Sequence, residues 1–405
     1  MSLKRTLLRV LRHAVVAVGT ILGVYSAFIV ILTIPTVQNQ AIYLNKATLT
    51  WFRDLSVPEQ WGFLRNQVTP FNLNTPDGET LQAWHILPLG VYQKHEDDLT
   101  REPVGLAHDI TQRHCFKLLR DDPDALLVLH LHGAAGTLGS GWRPPSYRAM
   151  SATSPDKIHT IAIDYRGFGS STGSPSEDGL LTDAKTLADF ALNTIGIPQS
   201  RIVIFAQSLG TAVAISLAHN MAALPEPVLF AGMVLVAPFA DVETLTATYR
   251  LAGTIPLLDP VARFFPKLLD ILNSFIVAKW ASKDRLADFV RVVERLPQKG
   301  QTYHIAIIHA EDDYDIPWTH SETVFWHAVN ATTAAGVGVA EMERYRSEFG
   351  GELGAGGRVV EWRTEKGTIR EEITKYGLHD RIMSYPVVSL AVVRAFQSAS
   401  RHTVT

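Results

Sequence analysis

The sequence predicts an α/β fold built on a mostly parallel sheet with helices on both faces. Short apolar runs rich in β-branched residues alternate with stretches of helical period, the pattern of parallel strands joined by crossover helices. Residues 202–205 form one such run, and residues 211–219 form the small-residue helix that follows it. With 405 residues and 46% hydrophobic composition, the chain can bury a large core in one catalytic domain.

Charge and cysteine content exclude several classes of protein. The net charge of −3 comes with no basic stripe, so we expect no nucleic-acid partner. Cys115 is the single cysteine, which excludes an intrachain disulfide and a cysteine-rich metal site. We therefore expect a core-stabilised fold that holds neither a metal nor a cofactor.

The N-terminus predicts a membrane helix. Residues 14–34 carry no charged side chain and are long enough to cross a bilayer. Because basic residues flank the cytoplasmic side of a span, residues 1–13 are predicted to be cytoplasmic and the catalytic domain to lie on the opposite side. The basic residues that precede the span are Lys4, Arg5, Arg9 and Arg12. We predict an anchor over residues 14–36, with a cleaved signal peptide as the alternative.

A juxtamembrane linker is predicted over residues 37–62. Its aromatic residues either rest at the membrane interface or pack on the catalytic domain, and both alternatives stay open; they are Tyr43, Trp51, Phe52 and Trp61. The catalytic domain is predicted over residues 63–405. A glycosylation sequon at Asn330 is compatible with a lumenal location of that domain.

The catalytic domain is predicted to begin with an antiparallel hairpin of residues 66–72 and 81–88, because Thr75-Pro76-Asp77-Gly78 favours a turn. Later strands are predicted at residues 125–131, 158–164, 228–238, 303–309 and 359–363, and helices at residues 179–195 and 318–330. Residues 334–357 lack a steady period and indicate a surface insertion.

Residues 239–297 interrupt this alternation with apolar helical clusters. A flexible acyl chain needs an apolar wall that can move, so the segment predicts a helical lid insertion. An ordinary covering of the sheet edge is the alternative.

Ser208 carries the strongest chemical signal because it lies between the strand at 202–205 and the helix at 211–219. A serine at the tip of such a turn exposes its hydroxyl, and the helix behind it directs N–H groups at a developing anion. The small residues Ala206 and Gly210 let the two backbones approach closely. This is the nucleophile elbow, and we predict Ser208 as the nucleophile.

Ser171 is the alternative nucleophile. It lies in Gly169-Ser170-Ser171-Thr172-Gly173, which matches G-x-S-x-G letter for letter. The match follows a strand by several loop residues and continues into polar turn residues, with no helix starting from the serine. We therefore interpret Ser171 as a loop residue.

The oxyanion hole is predicted from the turn His132-Gly133-Ala134-Ala135-Gly136, which follows the strand at 125–131. Side chains at this turn would block access to the substrate carbonyl, so small residues are required. We predict that the N–H groups of Ala134 and Leu209 form the hole.

The acid and the base are predicted from two later loops. Residues 310–317 follow the strand at 303–309, and a carboxylate there can orient a histidine beneath the elbow. The pattern D-x-x-I-P selects Asp313, with Asp312 and Asp315 as alternatives. His379 follows the last predicted strand and completes the order Ser, Asp, His along the chain.

Five motifs together resemble the lysophosphatidylserine lipase and monoacylglycerol lipase branch of the α/β-hydrolases, the abhydrolase domain-containing protein 12 family. They are L-H-G-A-A-G, D-Y-R-G-F-G-S-S-T-G-S-P-S-E, A-Q-S-L-G-T, H-A-E-D-D-Y-D-I-P and G-L-H-D. The resemblance covers residue 66 to the end and includes the N-terminal anchor. It implies an α/β-hydrolase fold and a single-pass serine hydrolase of the endoplasmic reticulum membrane. The implied substrates are single-chain acyl glycerols or lysophospholipids on the lumenal side.

The predicted activity is hydrolysis of a lipid ester through an acyl-enzyme, with Ser208 as nucleophile, His379 as base and Asp313 orienting the imidazole. Water releases the acid without a cofactor. The expected partners are the lipid ester and the membrane. A serine peptidase or general carboxylesterase would use the same residues and stays an alternative, as does a non-catalytic membrane scaffold.

Overall fold

The structure is a computed structural model that describes residues 2–251, 254–297 and 301–402. Its strands in chain order are β1 (Val68–Asn74), β2 (Thr80–Ile86), β3 (Leu126–Leu131), β4 (Ile158–Ile163), β5 (Ile202–Gln207), β6 (Gly232–Val236), β7 (Arg250–Leu251), β8 (Ile255–Pro256), β9 (Tyr303–Ala310), β10 (Gly351–Leu353), β11 (Gly357–Arg363) and β12 (Gly367–Thr374). Among the described residues, the main sheet has the order β1-β2-β4-β3-β5-β6-β9-β12-β11-β10, and β7 pairs with β8 separately. The pairings from β4 to β12 are parallel, and those at both edges are antiparallel.

Helices cover both faces of this sheet. In chain order they are α1 (Ser2–Leu32), α2 (Pro35–Tyr43), α3 (Leu89–Lys94), α4 (Glu96–Arg101), α5 (His114–Arg120), α6 (Arg143–Ser151), α7 (Glu177–Asp189), α8 (Leu209–Ala222), α9 (Val242–Thr248), α10 (Asp259–Phe264), α11 (Pro266–Asn273), α12 (Ser282–Glu294), α13 (Thr319–Asn330), α14 (Val339–Phe349) and α15 (Pro386–His402).

The two helical layers follow from the two-residue period of the strands. On β3, Leu127 and Leu129 face the core shared with α7, α8, α12 and α13. Val128, between them, faces the core shared with α6 and α15. Successive side chains of a strand point to opposite faces, so a strand that is apolar throughout needs both layers. The prediction of a mostly parallel sheet with helices on both faces is confirmed.

The N-terminal hairpin is confirmed, but the end of the sheet differs from the prediction. β11 is not the last strand, because β12 follows it and pairs in parallel with β9. β12 lacks an apolar run, since it buries Glu371 and Glu372. Arg346 of α14 pairs with Glu371, and both Arg394 of α15 and Arg370 of β12 pair with Glu372. The partners that come from other elements leave no local signal in the sequence. Residues 334–357 hold α14 and the edge strand β10, which were not predicted.

The segment predicted as a lid divides into two parts. α12 buries Leu286, Phe289 and Val290 and packs against α8 and α13, so it belongs to the layer that covers the sheet. The part from α9 to α11 instead borders the cavity described below. For this second part the lid function stays a prediction.

α1 is the one described helix that is long and apolar enough to cross a membrane, over Arg5–Leu32. A signal sequence near an N-terminus has the same length and composition. The helix ends at Leu32, and Pro35 occupies the first turn of α2, where its missing N–H costs nothing. The chain therefore changes direction a few residues before the predicted boundary at residue 36.

Some aromatic residues of the predicted linker pack on the domain. Tyr43 is buried and meets Trp280 edge to face, at 6.5 Å between ring centroids, and Trp61 packs against Trp84. Trp51 and Phe52 are exposed. Tyr43 and Trp61 thus pack on the domain, whereas contact of Trp51 and Phe52 with the membrane interface stays a prediction.

Candidate active site

Ser208 lies at a sharp turn between β5 and α8, as predicted. Its φ is +52° and its ψ is −122°, in a region that residues other than glycine rarely occupy. The Ser208 N–H donates to the Val236 carbonyl on β6, at 3.0 Å, which holds the strained residue at the end of the sheet. Backbone strain of this kind is concentrated at functional sites, where the surrounding structure maintains it.

Small residues around the turn are required by close backbone contacts. A Cβ on Gly210 would lie 2.1 Å from the Leu131 carbonyl oxygen, so no other residue fits there. A Cβ on Gly133 would lie 3.0 Å from the Ser208 Cβ. Ala206 is fully buried on β5, and its methyl group fits. The elbow and the turn after β3 are therefore in direct contact.

The predicted acid and base are joined by a hydrogen bond. His379 Nδ1 lies 2.7 Å from Asp313 Oδ2, and the Asp313 side chain is completely buried. Burial lowers the pKa of His379. The charge and hydrogen bond of Asp313, with the nearby Asp380 and Asp315 carboxylates, outweigh burial and raise that pKa to about 9. Burial opposes ionisation of Asp313, but His379 and His309 hold its pKa well below the usual range.

His309, at the end of β9, was missed by the sequence analysis. Its Nε2 lies 2.9 Å from Asp313 Oδ2 and 3.0 Å from the Ile316 carbonyl oxygen, so Nε2 carries the hydrogen. Its Nδ1 lies 2.6 Å from Ser321 Oγ, whose hydroxyl can donate to the neutral ring. His309 thus donates to Asp313 Oδ2, the same oxygen that bonds to His379. The motif H-A-E-D-D begins with this histidine and was the available signal.

The neighbouring carboxylates, Asp312 and Asp315, make different contacts. Asp312 Oδ1 accepts the N–H groups of Gly377 and Leu378, both at 2.8 Å, and so holds the loop that carries His379. Asp315 lines the cavity, and burial raises its pKa. Among the described contacts, Asp313 alone bonds to His379 Nδ1.

The turn after β3 leaves the Ala134 N–H available. The Ala135 N–H donates to the Tyr43 carbonyl at 2.9 Å, and the Gly136 N–H donates to the Ala47 carbonyl at 2.6 Å. Within the described residues, the N–H groups of Ala134 and Leu209 have no hydrogen-bond partner. These are the two donors predicted for the oxyanion hole.

The side chain of Arg143 stabilises the same turn by binding its carbonyl groups. It is buried, and its guanidinium donates to the carbonyls of Thr137, Gly133 and Ala135, at 2.6, 3.1 and 2.8 Å. Because the carbonyls of the turn point to Arg143, the N–H groups of the turn point away from Arg143. This buried arginine was not predicted, since its partners are backbone atoms.

A cavity of about 370 Å³ joins these groups. Ser208, Leu209, Ala134 and His379 all line it. Much of the remaining wall is apolar and includes Leu32, Ile42, Leu245, Leu257 and Leu258. Among the described contacts, no hydrogen bond joins the Ser208 hydroxyl to His379. Catalytic hydrogen bonds often form only when substrate binds, so the nucleophile and base roles of Ser208 and His379 do not require this bond in the free protein.

Ser171 lies outside this cavity. Its hydroxyl donates to the Asp164 carbonyl at 2.7 Å and accepts the Gln82 N–H at 2.9 Å. Both bonds tie the loop to β2 and β4, which agrees with the interpretation of Ser171 as a loop residue.

Two groups of side chains have potential metal-ligand atoms within 4.8 Å of one another in the described part of the chain. Asp313, Asp315 and His379 form one, where Asp313 and His379 already bond to each other. His95, Asp98 and His114 form the other. The approach of His114 to His95 was not predicted from the sequence.

Comparison with known proteins agrees with this fold. Residues 128–349 match the alpha/beta hydrolase family, and the chain belongs to that family. It is similar to lysophosphatidylserine lipase ABHD12 of Danio rerio, with 26% identity over 74% of this chain and 68% of the relative. It is also similar to protein ABHD12B of Homo sapiens, with 26% identity over 72% of this chain and 70% of the relative. These relatives confirm the resemblance predicted from the motifs.

A solved α/β-hydrolase from Vibrio vulnificus has the same fold. Its TM-score is 0.53 with 15% identity, and the match covers 89% of this chain and 92% of that one. At this identity the likeness concerns the fold alone.

Proposed function

We propose that the protein is a membrane-anchored serine hydrolase that cleaves the acyl ester of a monoacylglycerol or lysophospholipid. The observation that carries this proposal is the hydrogen bond between Asp313 and His379, with His379 and the elbow serine Ser208 both lining one largely apolar cavity. The relatives named lysophosphatidylserine lipase support a single-chain lipid as substrate.

Acylation begins with Ser208 Oγ attacking the ester carbonyl carbon while His379 Nε2 accepts the hydroxyl proton. Asp313 keeps the other proton of the ring on Nδ1, so that Nε2 is free to act as the base. The N–H groups of Ala134 and Leu209 stabilise the oxyanion, and each such donor typically lowers the barrier by about 3 kcal/mol. The C–O bond then breaks, and His379 returns its proton to the leaving alcohol.

Deacylation repeats the step with water. His379 accepts a proton from the water that attacks the acyl-enzyme, and the fatty acid leaves as Ser208 regains its hydrogen. Water is the only co-substrate that this reaction needs.

The test uses the full-length protein in membranes with a fluorophosphonate probe. We expect Ser208→Ala to abolish labelling and to lower ester hydrolysis by at least about a thousandfold. Ser171→Ala is the matched control, because it changes the formal G-x-S-x-G serine, and it should label like the wild type. Labelling that survives Ser208→Ala would exclude Ser208 as nucleophile and leave the non-catalytic scaffold as the better hypothesis.

A general carboxylesterase or serine peptidase would use the same catalytic groups. The apolar wall of Leu245, Leu257 and Ile42 favours a long acyl chain over a peptide. A panel of lysophospholipids, monoacylglycerols, short esters and peptides compared by kcat/KM separates these activities. Higher kcat/KM for peptides would contradict the lipase proposal.

We also propose that α1 anchors the protein in the endoplasmic reticulum membrane, with the N-terminus cytoplasmic and the catalytic domain lumenal. Arg5, Arg9 and Arg12 precede the apolar part of the helix, which supports this orientation. Contacts between Tyr25 and the domain favour a retained anchor over a cleaved signal peptide. In sealed microsomes, a C-terminal epitope should resist protease until detergent is added; digestion without detergent would reverse the orientation.

A further inference from the structure

One side of α1 faces the catalytic domain. Tyr25, Ile29 and Leu32 are partly buried at spacings of four and three residues, the period of one helix face. The Tyr25 hydroxyl donates to the Leu257 carbonyl at 2.7 Å. Val24 and Val30, on other sides of the helix, remain about two-thirds exposed. The last two turns of α1 are thus packed on the segment that precedes α10.

The cavity that holds Ser208 continues to this helix. A second cavity of about 100 Å³ is bordered by Ile29 and Leu32 of α1 and by Leu272 and Ile276 beyond α10. The two cavities share part of their walls, including Leu32, Ala41, Ile42, Val242, Thr246 and Leu258. An apolar space therefore leads from the elbow serine to the last turn of α1.

The helices beside this space expose apolar side chains. On and after α10 these are Phe264, Phe265, Leu268, Ile271 and Phe275. Gln38 of α2 ties this segment to the exit of α1, since its side chain donates to the Phe275 carbonyl at 2.9 Å and accepts the Val277 N–H at 3.2 Å. An exposed apolar patch continuous with a membrane helix fits the apolar layer of a bilayer.

We propose that the acyl chain reaches Ser208 directly from the bilayer, through the passage between the last turns of α1 and the α9–α11 segment. α10 and α11 lie on the membrane surface and keep the mouth of the passage in contact with lipid. The proposal rests on the lipase function proposed above and adds a second role for α1, which forms part of the substrate path in addition to anchoring the chain.

The first test narrows the passage with Leu32→Trp in the full-length protein reconstituted in phosphatidylcholine vesicles. We expect kcat/KM for a long-chain monoacylglycerol to fall at least about tenfold, since losing the burial of about two methylene groups has that effect. Hydrolysis of a water-soluble 4-nitrophenyl acetate should stay within about twofold of the wild type. Val30→Trp, on an exposed side of the same turn, is the matched control and should leave both activities unchanged. Unchanged long-chain activity in Leu32→Trp, or equal loss on both substrates, would overturn the passage.

The second test does not depend on a substitution. A long-chain fluorophosphonate with a photoreactive diazirine at the end of its chain is reacted with the wild-type protein in vesicles and then illuminated. We expect crosslinks within residues 25–42 or 242–276. A probe attached to Ser208 whose chain crosslinks elsewhere would overturn the passage alone, whereas no attachment to Ser208 would overturn the proposed function.

Discussion

Residues 310–317 (the acid loop, which carries the proposed acid Asp313) and residues 132–136 (the oxyanion turn, which carries the proposed donor Ala134) border the same cavity, but different parts of the chain hold them. The acid loop is held by β9 and by the loop after β12, because Asp313 bonds to His309 and His379 while Asp312 accepts N–H groups of the histidine loop. The oxyanion turn is held by Arg143 and by the carbonyls of Tyr43 and Ala47, which belong to the N-terminal segment after α1. Changes in the acid loop should therefore affect the base directly, whereas the segment after α1 should affect oxyanion stabilisation.

The largest effect after loss of the nucleophile is expected from Asp313→Asn. The amide would donate where the carboxylate accepts, and His379 would then carry its proton on the wrong nitrogen. We expect kcat to fall about a thousandfold or more with KM little changed, measured on a soluble ester. A loss below about tenfold would point to Asp315 or Asp380, the carboxylates that line the cavity.

The dependence of kcat/KM on pH tests the same pair, His379 and Asp313. Only the neutral imidazole accepts a proton, and the charge of Asp313 raises the pKa of His379 to about 9. We expect kcat/KM of the wild type to rise with pH from neutrality toward about pH 9. In Asp313→Asn the rising limb should move to lower pH, because burial then dominates. If the rising limb of kcat/KM lies at the same pH in Asp313→Asn and in the wild type, a group other than His379 titrates.

The sequence predicts the residues of this site that have a local signal, and it does not predict those whose contacts are to backbone atoms or to distant elements. Ser208 and Asp313 follow buried strands that the sequence predicts, and His379 is identified by its place in the chain order Ser, Asp, His. The carbonyls of Tyr43 and Ala47 lie about ninety residues from the N–H groups that they accept, and a backbone acceptor places no requirement on side-chain type. Arg143 is close to the turn in sequence, but its partners are also backbone carbonyls. Strand β12 escaped prediction for a related reason, since its buried Glu371 and Glu372 depend on arginines of other elements.

An intermediate effect is expected from Asp312→Ala. The change leaves the N–H groups of Gly377 and Leu378 without an acceptor, and each unsatisfied buried group costs about 1–3 kcal/mol. Leu378 has a φ of +52°, so the loop loses support where it is already strained. We expect kcat to fall about tenfold to a hundredfold. Asp312→Asn keeps an accepting oxygen and should stay near the wild type; equal losses in both variants would mean that charge matters rather than loop position.

The smallest effect is expected at Asn45, on the oxyanion side. Asn45 is buried between Tyr43 and Ala47, and its side chain donates to the Gly167 carbonyl at 2.8 Å. Asn45→Ala removes a bond worth about 1 kcal/mol and loosens the segment whose carbonyls hold Ala135 and Gly136. We expect kcat to fall about twofold to fivefold on the soluble ester, without movement of the pH profile, because the His379–Asp313 pair is untouched.

Lys46→Ala is the matched control for Asn45→Ala, since Lys46 is the exposed neighbour in the same segment. It should leave kcat unchanged. A shifted pH profile in Asn45→Ala would mean that the N-terminal segment also supports the base, and the division between the two loops would fail. If kcat of Asn45→Ala falls and its pH profile does not shift, the segment around Asn45 acts on oxyanion stabilisation. The reason is that the position of the Ala134 N–H depends on the turn after β3.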